Sequence, residues 1–264
     1  MGAPPLRSVG CPLVVVLMLG WVQPTHAHSA VPSTETLSIR DHKQTLHLYG
    51  SRGGDPVILS SGDGGWIHLA PHVAELLAAR GLFVIGFDTR AYLTGFTTQA
   101  STLRAADEPA DYRLLAEFAS AATGRKPILI GVSEGAGLSV LAAGNRATRD
   151  AIAGVIAIGL PDTNELAWRW KDSLTYLTHR PPNEPTFSAA SLVSAVAPVP
   201  LAMIQSTHDD FVTLDESKRI AAVAAEPKRL WIVDATDHRF SSNLPDFDAR
   251  LMEAIEWIQR SSAK

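Results

Sequence analysis

Short apolar runs alternate with amphipathic stretches along most of the chain. The runs are rich in β-branched residues and predict buried strands at 56–60, 82–87, 128–130, 154–159, 200–205 and 230–233. The stretches between them have apolar residues at helical spacing and predict helices at 69–80, 112–119, 138–143, 215–225 and 246–258. Strands that alternate with helices form a mostly parallel sheet with helices on both faces. The pattern therefore predicts one α/β domain, with its chemistry at the carboxyl ends of the strands.

Three segments depart from this alternation. Residues 37–40 and 45–49 alternate apolar and polar positions around 41–44, which predicts an antiparallel hairpin. Residues 91–105 are polar and irregular, and we predict a loop there. Residues 160–197 contain tryptophans and prolines without a β-α rhythm, which indicates an insertion that acts as a lid over a site.

The N-terminus has the pattern of a secretory signal peptide. Arg7 precedes an apolar run from Cys11 to Val22, and Ala27 is a small residue at the predicted cleavage site. An uncleaved anchor is the alternative, but the run is shorter than the roughly 20 residues that span a bilayer. We therefore predict a signal peptide at 1–27, a mature domain at 28–264, and a periplasmic or secreted bacterial protein.

Charge and metal-ligand patterns narrow the function classes. The chain has 23 Lys and Arg against 27 Asp and Glu, with no basic run, so nucleic acid is not an expected partner. His68 and His72 have the spacing of metal ligands on a helix, but no third ligand lies nearby, and an exposed amphipathic helix explains them. We expect neither a metal nor a cofactor.

Residues 127–137 read Pro-Ile-Leu-Ile-Gly-Val-Ser-Glu-Gly-Ala-Gly, and the chain is organised around them. An apolar strand leads into Gly-x-Ser-x-Gly, and a helix-forming stretch follows. In such a turn the serine has a strained backbone that lifts its hydroxyl clear of the sheet. An ordinary glycine-rich turn between strand and helix is the alternative. We interpret Ser133 as a catalytic nucleophile.

An acid and a histidine follow later strands, in the chain order of an α/β-hydrolase. A serine hydroxyl needs an imidazole to take its proton, and the imidazole needs a carboxylate to hold it in one tautomer. His238 lies on the loop after the last predicted strand and is the predicted general base. Asp209 or Asp210 orients it, and we favour Asp209 because it comes first after its strand. Asp237, next to the histidine, is interpreted as a turn residue.

The run Ser61-Gly62-Asp63-Gly64-Gly65-Trp66 follows an early strand. Its backbone amides can face an oxyanion without side-chain obstruction, so we predict that the amides of Asp63 or Gly64 act beside that of Glu134. A phosphate-binding loop is the alternative, but the run lacks a basic residue and a Gly-Lys-Ser/Thr ending.

Aromatic residues near the predicted site are candidates for substrate binding: Trp66 in the glycine-rich loop, and Trp168 and Trp170 in the insertion. Acids interleave with the aromatic residues of the insertion, at Asp162, Glu165, Asp172 and Glu184. Acids beside aromatic faces suit a cationic group such as an aminoacyl ammonium. A solvated lid face with a few core aromatics is the alternative.

Nearly the whole mature chain resembles the α/β-hydrolase superfamily. Within it, Ser-Gly-Asp-Gly-Gly-Trp at 61–66, Gly-Phe-Asp at 86–88 and Leu-Ile-Gly-Val-Ser at 129–133 are similar to exported bacterial virulence proteins of the VirJ/AcvB type. That resemblance implies a periplasmic serine hydrolase with lysyl-phosphatidylglycerol, an aminoacylated lipid, as its substrate. Ser133 matches the family's nucleophile and His238 its histidine, whereas Glu134 and Ala136-Gly137 depart from the expected aromatic residue and Ala-Asp.

The prediction is therefore an exported esterase that acts on a small-molecule or lipid ester, with transient contact to a membrane surface. The triad does not distinguish esters from peptides or thioesters, because all pass through a tetrahedral intermediate. A second hypothesis is a non-catalytic secretion-accessory or binding protein on a hydrolase fold, with a protein partner.

Overall fold

The computed structural model describes residues 1–2, 32–169 and 184–262, and a sheet of eight strands runs through the described part. The chain order of the strands is β1 (Ser33–Ile39), β2 (His42–Tyr49), β3 (Pro56–Ser60), β4 (Phe83–Phe87), β5 (Ile128–Val132), β6 (Gly154–Ile158), β7 (Thr163–Glu165), β8 (Thr186–Ser188), β9 (Leu201–Ser206) and β10 (Lys228–Val233). The order in the sheet is β1-β2-β4-β3-β5-β6-β9-β10, and β7 pairs with β8 separately.

The helices are α1 (Leu69–Ala79), α2 (Thr89–Phe96), α3 (Glu108–Thr123), α4 (Glu134–Gly144), α5 (Arg146–Arg149), α6 (Ala189–Leu192), α7 (Leu214–Val223) and α8 (Leu244–Ser262), with a 3-10 turn at Val193–Val196. Five of the helices lie where the apolar pattern predicts them, and three shorter helices, α2, α5 and α6, were not predicted. From β4 to β10 the sheet is parallel, whereas β1 and β2 are antiparallel at one edge. The predicted α/β class and the N-terminal hairpin are confirmed.

Alternate side chains of each central strand enter two separate cores. In β3, Ile58 packs into the core that includes the buried faces of α3 and α4, while Val57 and Leu59 pack into the core on the other face, with α1 and α8. Strands that are buried on both faces explain the continuous apolar runs in the sequence. Both faces are covered, so the chemistry is confined to the strand ends.

The prediction of a loop at 91–105 is wrong over its first part. Residues 89–96 form α2, and the Asp88 carboxylate caps this helix by accepting a hydrogen bond from the Ala91 amide at 3.0 Å. The helix is short, and it buries Tyr92 and Leu93 against the sheet. The predicted turn of the hairpin is also shorter than expected, because Arg40 and Asp41 both have positive φ and form it alone.

The insertion at 160–197 contains β7, β8 and α6 in its described parts. Trp170, Asp172 and Tyr176 lie outside the described residues, and so does nearly all of the predicted signal peptide. In the described ranges, no helix combines the length and the apolar character needed to cross a membrane.

Candidate active site

Ser133 lies in a strained turn between β5 and α4, with φ of 51° and ψ of −117°. The two flanking glycines are required by close backbone contacts. A Cβ on Gly131 would lie 2.1 Å from the Gly135 carbonyl oxygen, and a Cβ on Gly135 would lie 2.4 Å from the Ser61 carbonyl oxygen. Any larger residue would push the helix away from the sheet. The Ser133 hydroxyl does not cap α4, and Ser133 lines a cavity of about 420 Å³.

His238 lines the same cavity and is held by a buried carboxylate. Its Nδ1 is 2.6 Å from Oδ2 of Asp209, whose side chain is 0% exposed. The other carboxylate oxygen accepts hydrogen bonds from the amides of Phe211 and Val212, at 2.8 and 2.9 Å. Burial alone would raise the pKa of Asp209, but the hydrogen bond and charge of His238 and the two amides outweigh it, and the pKa is lowered. Asp209 is therefore ionised at neutral pH.

The ionised carboxylate decides which nitrogen of the ring carries the proton. A carboxylate only accepts, so Nδ1 of His238 is the donor, and in the neutral ring Nε2 is left as the acceptor. Nε2 is buried and has no hydrogen-bond partner among the described residues. The Ser133 hydroxyl thus does not bond to the ring in this conformation. In enzymes without bound substrate this contact is often long and tightens on binding.

The end of β6 brings the histidine next to the serine turn. The Ser133 amide donates to the Ile158 carbonyl at 2.8 Å, and Gly159 follows with φ of 58°. A Cβ on Gly159 would lie 2.7 Å from Cε1 of His238, so the ring rests directly on this glycine. Only a glycine provides both the positive φ and the room for the ring.

The glycine-rich loop forms the opposite wall of the cavity. A Cβ on Gly62 would lie 3.5 Å from the Ser133 Cβ, and Asp63 and Gly64 line the cavity. The loop is fastened to the sheet, because the Ser61 amide donates to the Phe87 carbonyl at 3.0 Å. No described residue accepts a hydrogen bond from the amides of Asp63 or Gly64.

The amide of Glu134 is in the first turn of α4, where helical N–H groups have no partner within the helix. Together with the amides of Asp63 and Gly64, it is a donor near the serine in a region where the helix dipole favours negative charge. The geometry can therefore bind an oxyanion.

Two of the predicted substrate-binding tryptophans do not line the cavity. The Trp66 ring stacks on His47 with centroids 4.8 Å apart and fills the space left by Gly86, where a Cβ would lie 2.1 Å from the ring. Trp168 lies against Arg90, whose guanidinium carbon is 4.0 Å from the ring centroid. Arg90, not Trp168, lines the cavity.

The described acids of the insertion make structural contacts. Glu184 pairs with Arg169 at 2.7 Å, and its side chain is 5% exposed. Asp162 accepts hydrogen bonds from the Ser188 hydroxyl and the Ala190 amide, at 2.7 and 2.8 Å. These contacts use two of the four carboxylates that the sequence suggested for an ammonium group, those of Asp162 and Glu184.

The other candidate residues have structural contacts as well. Asp237 accepts from the Arg239 amide at 2.7 Å and caps a turn, as predicted. His72 pairs with Asp248 at 2.7 Å, on a neighbouring helix. Within the part of the chain that the structure describes, no group of three His, Cys, Asp or Glu side chains is arranged for a metal ion.

Sequence reasoning missed the Glu134 side chain. Its carboxyl is buried, and Oε1 accepts a hydrogen bond from the Glu165 amide at 2.6 Å, which ties the start of α4 to β7. Burial, followed by the charges of Glu165 and Asp63, raises the pKa of Glu134 well above its ordinary value. The raised pKa favours the neutral form of this carboxyl, which lies beside the oxyanion site. Only the polar contact with β7 identifies this role, and the sequence does not reveal that contact.

The family model described as "Bacterial virulence protein (VirJ)" matches residues 55–181, which is just under half of the chain. The matched range includes the glycine-rich loop and the serine turn, so the predicted resemblance is confirmed over these residues. None of the curated proteins matches the sequence.

Solved structures share the fold at low identity. The α/β hydrolase GrgF from Penicillium sp. sh18 has a TM-score of 0.64 and 15% identity, and the match covers 89% of this chain and 100% of that one. Est1E from Butyrivibrio proteoclasticus has a TM-score of 0.63 and 14% identity, with 88% and 99% covered. A membrane phospholipase A described as a bacterial virulence factor has a TM-score of 0.61 and 12% identity, with 86% and 87% covered. The chain has the α/β-hydrolase fold.

Proposed function

We propose that this chain, which has the α/β-hydrolase fold and matches the VirJ family model over residues 55–181, is a serine hydrolase that cleaves an acyl ester. One observation carries the proposal. A serine in a strained turn lines the same cavity as a histidine whose Nδ1 is hydrogen-bonded to the buried Asp209. This combination is what nucleophilic catalysis by serine requires.

In the proposed mechanism Ser133 Oγ attacks the acyl carbonyl while Nε2 of His238 takes the hydroxyl proton. A bond forms between Oγ and the carbonyl carbon, and the amides of Glu134 and of Asp63 or Gly64 stabilise the oxyanion. Collapse of the intermediate breaks the bond to the alcohol, which leaves with the proton from Nε2. Water then attacks the carbonyl of the acyl-enzyme, and His238 again takes a proton and returns it. This step releases the acid and restores the serine hydroxyl.

The substrate proposed is a small-molecule or lipid ester. Two large apolar side chains at the cavity are exposed, Ile67 at 50% and Phe211 at 49%. They suit an acyl chain and give the cavity mouth an apolar surface for transient contact with a membrane. An aminoacyl-phospholipid of the lysyl-phosphatidylglycerol type is the specific lipid to test first, because the family resemblance implies it.

We also propose that the protein is exported and works in the periplasm or outside the cell. The charge and apolar pattern of residues 1–27 support export, and a family of bacterial virulence proteins is compatible with that location.

Hydrolysis of 4-nitrophenyl butyrate by the purified protein tests the proposal. Ser133→Ala should abolish turnover. Asp209→Asn should lower kcat by about 10⁴-fold, the scale known for this change in a serine protease, because an amide stabilises the wrong tautomer. Both variants should keep the circular dichroism spectrum of the wild type. Turnover that survives Ser133→Ala would rule the proposal out, and a folded but inactive wild type would favour the accessory or binding role.

A further inference from the structure

We propose that Arg90 is an anion-binding subsite of the cavity, and that the preferred esters carry a carboxylate or phosphate group. This deepens the proposed hydrolase function and rests on it for the identity of the reacting bond. Arg90 follows β4 and lies in the first turn of α2, so it faces the cavity from the side of the glycine-rich loop.

The Arg90 guanidinium has no carboxylate partner among the described residues. The nearest acid in sequence, Asp88, uses its oxygens to accept from the Ala91 and Trp66 amides, at 3.0 and 3.2 Å. A half-buried cation without a counter-ion is unfavourable, because burial removes water from a charge that nothing else neutralises. A bound anion would remove that cost.

Trp168 holds the guanidinium in a defined orientation. The Trp168 amide donates to the Thr97 hydroxyl at 3.1 Å, and that hydroxyl donates to the Leu93 carbonyl at 2.7 Å, so the indole is fastened to the end of α2. The guanidinium carbon of Arg90 lies over this ring, 4.0 Å from its centroid, and this cation–π contact restrains the side chain. The described residues provide no hydrogen-bond acceptor for the guanidinium N–H groups, so these groups are available to a bidentate anion.

Arg90 differs from the other charged residues that line the cavity. Asp63 is the acid on the cavity wall, and Arg239 is the second arginine there. Arg239 is exposed and interacts electrostatically with Asp237, so its charge is screened by water and partly neutralised. Arg90 follows β4 and Arg239 follows β10, which lie on opposite sides of β5 in the sheet, so Arg239 serves as a matched control.

A pair of esters of equal chain length measures the subsite: 4-nitrophenyl pentanoate is neutral, and the mono-4-nitrophenyl ester of glutaric acid ends in a carboxylate. We expect Arg90→Gln to lower the ratio of kcat/KM, anionic over neutral, by about 10- to 100-fold, the range of a charge-assisted hydrogen bond. The ratio for Arg90→Lys should lie between those of the wild type and Arg90→Gln. An ammonium group keeps the positive charge but cannot donate two parallel hydrogen bonds as a guanidinium does. Arg239→Gln should leave the ratio within about twofold.

Trp168 is a positioning residue, and a double variant separates its effect from simple loss of packing. Trp168→Leu should lower the ratio in the wild type but not in the Arg90→Gln background. An equal reduction in both backgrounds would contradict a role through Arg90.

Binding to the Ser133→Ala variant tests the subsite even if the protein does not hydrolyse esters. Calorimetry with the glutarate monoester should show binding that Arg90→Gln weakens at least about tenfold. Phenyl phosphate and phenylacetate are then used as competitors. The one that competes more strongly shows whether the subsite prefers a phosphate or a carboxylate group. The inference would be overturned if Arg90→Gln changed neither the kcat/KM ratio nor the affinity for any of these anions. A protein that binds these anions through Arg90 but does not hydrolyse esters would count only against the hydrolase function.

Discussion

The carboxylate of Asp209 accepts hydrogen bonds from four groups: His238, the Gln205 side chain, and the amides of Phe211 and Val212. Because its pKa is lowered, the stability that it contributes is present above its ordinary pKa of about 3.8 and is lost as the pH falls through the folded value. The sequence left Asp209 and Asp210 open as partners of the histidine. The turn amides and Gln205 decide between them, and local spacing does not reveal such contacts.

A second buried carboxyl, Glu108, has the opposite behaviour. It is 0% exposed, and neither of its oxygens has a hydrogen-bond partner among the described residues. Burial, followed by the charge of Asp111, raises the pKa of Glu108 well above its ordinary value of 4.5. A raised pKa means that its contribution to stability is fully present below pH 4.5 and declines as the pH rises.

Glu108→Gln should therefore remove a pH-dependent loss of stability. The difference in Tm, variant minus wild type, should be larger at pH 9 than at pH 5 by at least about 2 °C. The reason is that the amide never has to ionise in the core. Thermal unfolding followed by circular dichroism measures the difference. Glu117→Gln on the same helix is the control, since Glu117 is exposed and pairs with Arg113. A difference that is constant with pH, or equal in both variants, would contradict the prediction.

At the scale of elements, the contact between the end of β6 and the loop after β10 determines where the histidine lies. Gly159 has a positive φ, and it leaves the room in which the His238 ring sits. The adjacent carbonyl of Ile158 accepts from the Ser133 amide. One strand end therefore aligns the serine turn and the ring, although neither residue is close to β6 in sequence.

Gly159→Ala should displace the His238 ring and lower kcat/KM for 4-nitrophenyl butyrate by about 100-fold, since a shift of about 1 Å is enough for such a loss. Gly124→Ala is the matched control. Gly124 also has a positive φ, of 73°, but a Cβ there would meet nothing within 4 Å. Both variants bear a backbone cost of about 1–2 kcal/mol, so only the loss of activity should distinguish them. Equal activity of the two variants would show that the ring does not depend on Gly159.

Elements with a strong period were predictable from the sequence, and those with short or mixed patterns were not. The parallel strands are apolar throughout, and α8 buries Phe247, Leu251 and Ile255 at four-residue spacing. The helix α2 was predicted as a loop because its eight residues are too few to show a clear helical period and its capping residue, Asp88, also follows a strand. The position of the Trp66 ring was not predictable, because a side chain in a loop can also turn toward the sheet, where Gly86 leaves room for it.

At the scale of the whole molecule, the fold brings distant segments to one edge of the sheet. The serine turn follows β5, Asp209 follows β9 and His238 follows β10, and the α/β pattern was sufficient to predict that all three lie at carboxyl ends. The charge of the cavity was not predictable in this way. Arg90 reaches it from an undetected helix, and the acids of the insertion are used in contacts such as the ion pair between Glu184 and Arg169.

The export that we propose from the pattern of residues 1–27 has a direct readout. When residues 1–264 are expressed in a Gram-negative host, the protein recovered from the periplasm should begin at His28, because cleavage is predicted after Ala27. Intact-mass spectrometry measures the N-terminus. An Ala27→Arg variant, which spoils the small residue at the cleavage site, is the control and should retain its first 27 residues. A cytoplasmic protein of full mass would contradict the prediction.

Labelling with a fluorophosphonate probe, followed by peptide mass spectrometry, tests most directly whether the buried imidazole activates the serine. The account predicts one phosphonate per chain, attached to Ser133, and at least about 100-fold slower labelling in His238→Ala, because the hydroxyl then has no base to take its proton. Labelling at another serine, or a rate that does not change when His238 is replaced, would contradict the account.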